Sequence, residues 1–341
     1  MKNILKIILA LSLLLAMQNV FAQGQRTGTS GASHLLIPVG PRGIAMGEAN
    51  IATSNGIESL FWNPAGVAKM DGSADLLFSH MSYIADIGVE YGAIGANFEG
   101  FGVVSLSLKA LSIGDILITT TSNPDGTGEV FTPTMVTAGL GFSRQLTESI
   151  SVGFTANFIS ERIADVNASG VAFDVGVIYD NLASINGLSI GFVIKNLGPD
   201  MQYSGSGLTA QGQLNGLNRP PNYYTIESAP FELPSNFQIA LGYRPVLDEI
   251  NSIQFSGLYQ NNNFSGDEYK VGGEYGYNDM FFVRAGYQFA PDLSSEEYIY
   301  GLTAGAGINY DVEGFGIKID YAYRDVEYFD GNHIIALTLG F

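Results

Sequence analysis

"FGVVSLSLKA", residues 101–110, decides the fold. On an extended chain Val104, Leu106 and Leu108 share one face, while Val103, Ser105, Ser107 and Lys109 share the other. A helix would scatter both sets around its axis. The same period of two returns in "SVGFTANF" (151–158), where Val152, Phe154, Ala156 and Phe158 oppose Ser151, Gly153, Thr155 and Asn157. It returns again in "FGIKIDYAY" (315–323), where Phe315, Ile317, Ile319, Tyr321 and Tyr323 oppose Gly316, Lys318, Asp320 and Ala322. Counting outward from these stretches gives about fourteen strands, the first at 75–83 and the last at 332–341.

The spaces between strands alternate in length. Those after even-numbered strands (99–100, 147–149, 181–186, 244–250, 278–279, 311–313) are short, and the long ones (113–133, 198–234, 290–298) follow odd-numbered strands. Tight turns on one rim and long loops on the other mark an up-and-down barrel crossing an outer membrane. Strands of ~9–11 residues suit that span, whereas soluble sandwiches favour ~5–6. The expected fold is therefore all-β, a transmembrane antiparallel barrel of about fourteen strands.

Composition agrees. Only 14% of the 341 residues are charged, while 43 are glycine and 12% aromatic. Soluble domains carry roughly 25% charged residues. The N-terminus, "MKNILKIILALSLLLAMQNVFAQ", has Lys2 and Lys6, an apolar core from Ile7 to Met17, and Val20-Phe21-Ala22 as a cleavage site. It reads as a secretory signal peptide over 1–22. The processed chain then carries 13 basic and 33 acidic residues, net −20, which disfavours nucleic acid as a partner. There is no cysteine, hence neither a disulfide nor a lipidated cysteine.

The strand faces differ. One carries Val, Ile, Leu and Phe with aromatics near the ends (Tyr83, Phe101, Tyr179, Tyr243, Tyr259, Tyr310, Tyr323), as in an interfacial girdle. The other carries glycines and the isolated charges Lys109, Arg144, Asp174, Lys195, Lys270, Glu274, Arg284, Lys318 and Asp320. A basic residue facing lipid at the midplane costs ~2–4 kcal/mol, so these are expected to face a lumen. Their mixed signs suit a hydrogen-bonded interior better than an ion-selective pore. The final strand, "HIIALTLGF", ends on Phe341, which resembles the C-terminal signal read by the outer-membrane barrel-assembly machinery.

Residues 23–74 do not alternate. Asn63 is a good helix cap and Pro64 suits a first helical position, so a short helix is expected over 64–70, preceded by a helical turn near 55–61. A fourteen-strand barrel is wide enough to hold such a segment as a hatch, with Trp62, the single tryptophan, packed between hatch and wall. The expected organisation is 1–22 signal, 23–74 hatch and 75–341 barrel.

"RGIAMGEANIATSNGIESLFWNPAGVAKM" (42–70) resembles the N-terminal signature of the PorV/PorQ family, barrels of the FadL-like superfamily. Arg42, Met46, Gly47, Ala49, Phe61, Trp62, Asn63, Pro64, Ala65 and Gly66 carry the likeness. It implies a non-enzymatic part in type IX secretion, binding the C-terminal domain of secreted cargo and attachment-complex proteins, with 113–133 and 198–234 as docking loops. The superfamily implies an alternative, a channel for hydrophobic small molecules such as long-chain fatty acids. Leu35, Leu36, Ile37, Ile44, Met46, Phe61 and Trp62 would then line a pocket or pack the hatch shut. Outer-membrane lipid is a partner either way.

No catalytic constellation and no cofactor motif stands out. His34, His80 and His333 are too far apart to suggest a metal site and read as solvated or girdle residues. "NPDGTGE" (123–129) reads as a loop turn.

Overall fold

The structure, a computed structural model, describes residues 28, 30–213, 220–294, 296–312 and 314–341. The expected signal peptide lies outside them. Fourteen long strands form the wall. They are β1 (Ala74–Ser82), β2 (Gly88–Phe98), β3 (Gly102–Ser112), β4 (Thr134–Thr147), β5 (Ile150–Ile163), β6 (Val166–Tyr179) and β7 (Leu188–Leu197), then β8 (Asn236–Tyr243), β9 (Asn251–Asn262), β10 (Glu268–Tyr277), β11 (Phe281–Phe289), β12 (Tyr300–Val312), β13 (Phe315–Val326) and β14 (Asn332–Gly340). Each pairs antiparallel with its sequence neighbours, and β14 returns to β1 with Leu337 opposite Phe78, closing the barrel. Two small hairpins decorate the long-loop rim, Ile116–Leu117 with Val130–Phe131 and Thr209–Gly212 with Asn222–Thr225.

Period-two alternation sorts the side chains as expected. Phe78, Leu106, Leu108, Phe158, Val283 and Ile335 stand exposed on the outer face, while Ser105, Thr155 and Ala322 are buried within. Leaving such large apolar side chains in water forfeits ~1.5–3 kcal/mol each. A barrel carrying rows of them has hydrocarbon as its solvent. Among the described residues no helix is long and apolar enough to cross a membrane, so the strands make the crossing.

Two placements differ from expectation. Arg144 does not face the lumen. On β4, Gly139, Gly141 and Ser143 point inward, so Arg144 shares the exposed outer face with Leu140 and Phe142. It sits next to the 148–149 turn, where a long stem can bring the guanidinium to the headgroup level. Tyr83 turns inward at the opposite rim, its hydroxyl 2.8 Å from that of Tyr300, and is not part of the outer girdle.

The interior is filled by the segment before β1. It enters beside the long-loop rim, where Ser30 bridges to Glu232, and leaves at the short-turn rim, where Ser73 meets Phe341. Between them lie two short helices, α1 (Pro41–Ala45) and α2 (Ser59–Trp62), with 3₁₀ turns at Ser33–Leu36, Asn50–Ala52 and Pro64–Lys69. The expected helix over 64–70 is thus a 3₁₀ helix, a tighter winding usual in short pieces. The main buried cluster joins this hatch (Ile44, Ile51, Ile57, Trp62, Val67) to the wall (Leu77, Met81, Val103).

Candidate functional site

The hatch grips the wall at two backbone seats. At the first, Asn63 is fully buried and caps the following turn: its Oδ1 accepts from Ala65 N–H at 3.1 Å. Its Nδ2 donates to Ile51 O at 2.8 Å and to Val177 O of β6 at 3.4 Å. Ser143 Oγ of β4 donates to Pro64 O at 2.6 Å. Gly153 and Gly176 make room, since a Cβ there would overlap Pro64 and the Asn63 side chain. At the second seat, Gly47 takes φ +61°, and its N–H donates to Thr303 Oγ1 at 3.1 Å while that hydroxyl donates to Ala45 O at 3.0 Å. Gly272 and Gly286 lie under Met46 and Gly47, again where a Cβ would collide with hatch backbone. Trp62 packs on Gly43 of α1, edge-on to Phe61 at 5.1 Å. On the wall side, Lys195 lies 6.0 Å from its ring.

Charges link hatch and wall between the seats. Arg42 holds Glu274 with two hydrogen bonds of 2.9 Å, from Nε and Nη2, and Nη1 reaches Asn55 at 2.5 Å. Glu274 also accepts from Arg284 Nε at 2.5 Å, and Arg284 Nη1 reaches Asp320 at 2.5 Å. Glu58 stands behind Gly43, accepting its N–H at 3.2 Å. Burial, together with the Asp320 carboxylate, pushes the Glu58 carboxyl up to about 7. A second group centres on Glu48, which meets Lys270 at 2.8 Å and Arg324 at 3.0 Å. Burial alone would raise Glu48, but these two cations outweigh it and hold the carboxyl at about 2. Lys69 adds a pair with Asp180 at 2.6 Å.

The proposed lumen charges thus divide. Glu274, Arg284 and Asp320 form one chain with Arg42, and Lys270 joins Glu48. Lys109, Asp174 and Lys195 form a third set around Phe61, with Lys195 Nζ 3.6 Å and Lys109 Nζ 5.2 Å from its ring centroid. Lys109 Nζ donates to Ile37 O at 2.6 Å; Asp174 accepts from Asn157 and Asn196, both at 2.7 Å. Lys318 is exposed at the short-turn end, lining a vestibule of about 370 Å³ with Asp71, Asp75 and Arg244. Glu48, Glu58 and Arg324 were not singled out from the sequence. Arg324 continues the inward row of β13 after Ala322, so counting on by two reaches it.

Above the hatch, on the long-loop side, lies a cavity of about 310 Å³. Leu35, Leu36, Ile37, Phe61 and Trp62 line it, as do Lys195, Lys270 and Arg324. Ile44 and Met46, named with them, take the other alternative and are fully buried in the packed hatch. Along the cavity wall, Arg324 lies 4.2 Å over the Tyr300 ring, and Tyr298 donates to Gln288 at 3.1 Å. His34, expected to be solvated, is buried. Its Nδ1 lies 2.9 Å from Glu161 of β5 and its Nε2 3.2 Å from Thr137 of β4. His80 and His333 do lie on the outer face, 2.7 Å from Glu90 and 2.8 Å from Tyr321. Among the described residues no cluster of metal-ligating side chains occurs.

A closed barrel with its own N-terminal segment wedged in the lumen defines a plugged outer-membrane protein. Residues 20–257 match the family described as type IX secretion system protein PorV. The chain belongs to that family. No curated protein matches the sequence. Among solved structures, the CymD monoaromatic hydrocarbon channel is similar in fold: TM-score 0.55 at 14% identity, over 89% of this chain and 97% of that one. The Pseudomonas putida toluene transporter TodX gives 0.55 at 13%, over 87% and 96%. The Ralstonia pickettii toluene transporter TbuX gives 0.52 at 13%, over 89% and 98%. At these identities the likeness is one of architecture.

Proposed function

We propose that this barrel is a non-enzymatic component of type IX protein secretion and surface attachment, binding the C-terminal domain of secreted cargo on its long-loop side. The family match carries the reading. The hatch supports it: two glycine seats and four ion pairs of 2.6–3.0 Å between hatch and wall hold a filled lumen, as suits a docking platform better than an open pore. Exposed apolar side chains on the outer loops, among them Leu117, Val130, Tyr223 and Ile226, offer contact surface. Attachment-complex proteins are the further partners this reading implies. The test is co-purification of the detergent-solubilised protein with secreted C-terminal domains, against the same domains with their terminal strands deleted. Capture of both alike, or of neither, overturns it.

The second reading, a channel for hydrophobic small molecules, is favoured by one observation: apolar residues of the hatch, among them Leu35, Leu36, Phe61 and Trp62, line the outward cavity. Organic extraction and mass spectrometry of the purified protein test it. A recovered fatty or aromatic ligand that protects Leu36→Cys from labelling supports it. An empty extract, with cargo bound, removes it.

A further inference from the structure

The hatch divides at Gly40. The backbone there takes φ +82°, and a Cβ would collide with Glu58. Beyond Gly40 the body of the hatch, 41–70, is seated and ion-paired as described. Before it, the arm 30–39 has three polar ties to the wall, Lys109 on the Ile37 carbonyl and His34 against Thr137 and Glu161, and its inner end, Ile37 and Val39, packs into the main buried cluster.

Its other ties are to a loop. The connection between β7 and β8 sends two stems, 198–205 and 231–235, back over the barrel mouth. They pair with each other at Met201 and Phe231. The first stem meets the barrel through the two-residue pairing of Ser204–Gly205 with β6, and the second is held at its base, where Asn196 donates to Pro234 O at 3.0 Å and Asn263 to Leu233 O at 3.2 Å and Ser235 O at 3.1 Å. They meet the arm at Ser30, bridged to Glu232, and at Gly31, whose N–H donates to Glu232 O at 3.1 Å and whose missing side chain leaves room for the Phe231 ring. Tyr203, its ring tilted 37° to that of Phe231 at 5.4 Å, donates at 2.6 Å to Glu161, the same carboxylate that faces His34. Ala32 and Leu35 of the arm, Met201 and Leu233 of the stems, and Ile159, Ala168 and Ala172 of the wall make a second apolar cluster, separate from the main core.

We infer that the arm and the two stems form one mechanical unit hinged at Gly40, so that a partner displacing the stems from outside withdraws the arm and enlarges the outward cavity. The arm is the partition that makes this possible. Leu35 borders both the 310 Å³ cavity and a 40 Å³ pocket beside Lys109 and Asp174, and Phe61 and Lys195 border both from the other side. Lifting Leu35 merges the two spaces. The body of the hatch stays seated, because none of its ties involves the stems. Which partner acts from outside rests on the secretion reading; the coupling itself is a property of the protein alone and is tested without cargo.

The absence of native cysteine makes the test direct. Leu36→Cys, on the cavity-facing side of the arm, is labelled from outside with a membrane-impermeant maleimide in proteoliposomes. Two variants loosen the stems by substitutions outside the arm: Tyr203→Phe, which removes only the hydroxyl bond to Glu161, and Phe231→Ala, which also frees the space beside Gly31. Each is expected to raise the Leu36→Cys labelling rate at least fivefold. Adding Ser30→Cys with Glu232→Cys and oxidising, with Leu36→Cys masked until the bridge has formed, is expected to return the rate of Phe231→Ala to that of the parent. Retained gel-mobility difference between unheated and boiled samples reports that the barrel is intact. Because Tyr203→Phe removes one hydroxyl, it remains informative if Phe231→Ala does not assemble. Unchanged labelling in Tyr203→Phe, or a raised rate that the oxidised bridge fails to lower, overturns the inference.

Discussion

The inner body of the hatch and its outer arm belong to one short segment, yet they are fastened by different physics. The body presses backbone against backbone through glycines that only close contact explains, and adds ion pairs whose loss would strand charge. Outside Ile37 and Val39, which share the main core, the arm is held by a second apolar cluster, one shared carboxylate and a bridge to a loop, with Lys109 on the Ile37 carbonyl. On the inference above, a plug seated at one end and tethered to a loop at the other is expected to release from the tethered end first.

That contrast can be broken from the body side. Glu274→Ala leaves Arg42 and Arg284 facing each other without their shared carboxylate. Removing one partner of a buried pair costs about 3–5 kcal/mol, and a drop of that size is expected in urea unfolding followed by tryptophan fluorescence. Gly176→Val forces a side chain into the space of Asn63. Overpacking costs about 1–3 kcal/mol, so a smaller fall in the same transition is expected, with part of the protein failing to show heat-modifiable mobility. Asn63→Ala removes a cap and a buried donor, for about 2 kcal/mol. Were these three to leave stability unchanged while Tyr203→Phe lowered it, the assignment of body and arm would be reversed.

Acidity sharpens the comparison with smaller effects, since both perturbed hatch carboxyls lie in the body. Glu58 is raised from 4.5 to about 7, so the folded hatch holds its proton more tightly than the unfolded chain. The stability it contributes is full below pH 4.5 and fades as pH rises to 7. Glu48 is lowered from 4.5 to about 2, so its contribution is full above pH 4.5 and fades as pH falls toward 2. Unfolding measured from pH 3 to 8 is expected to show loss at both ends. Glu58→Gln flattens the upper limb and leaves the lower one, and Glu48→Gln does the reverse while lowering stability throughout.

Much of the barrel was legible because period two and loop length are local signals. The strand from 101 onward, the long spaces at 113–133 and 198–234, and the closing strand to Phe341 all stand where alternation puts them. Arg144 shows the limit. Charge type suggested the lumen, but counting from Leu140 and Phe142 gives the outer face, and register outranks residue type when the two disagree. In the hatch, the Asn63-Pro64 start was readable as a cap. The charged partners of Arg42 and Glu48 were not, since they lie more than 200 residues away and no periodicity connects them. The wall glycines 153, 176, 272 and 286 were visible as inward-facing gaps in four strands. Their meaning became clear only once hatch backbone lay over them.

The last residue does more than end the chain. The Phe341 carbonyl accepts from Ser73 N–H at 2.6 Å and from Ser73 Oγ at 3.0 Å, while Phe341 N–H returns to Ala74 O at 2.9 Å. The seam where first and last strands meet is therefore stitched to the exit of the hatch. Peeling the closing strand away would break these bonds as well, so the barrel's seam and the foot of its stopper come undone together.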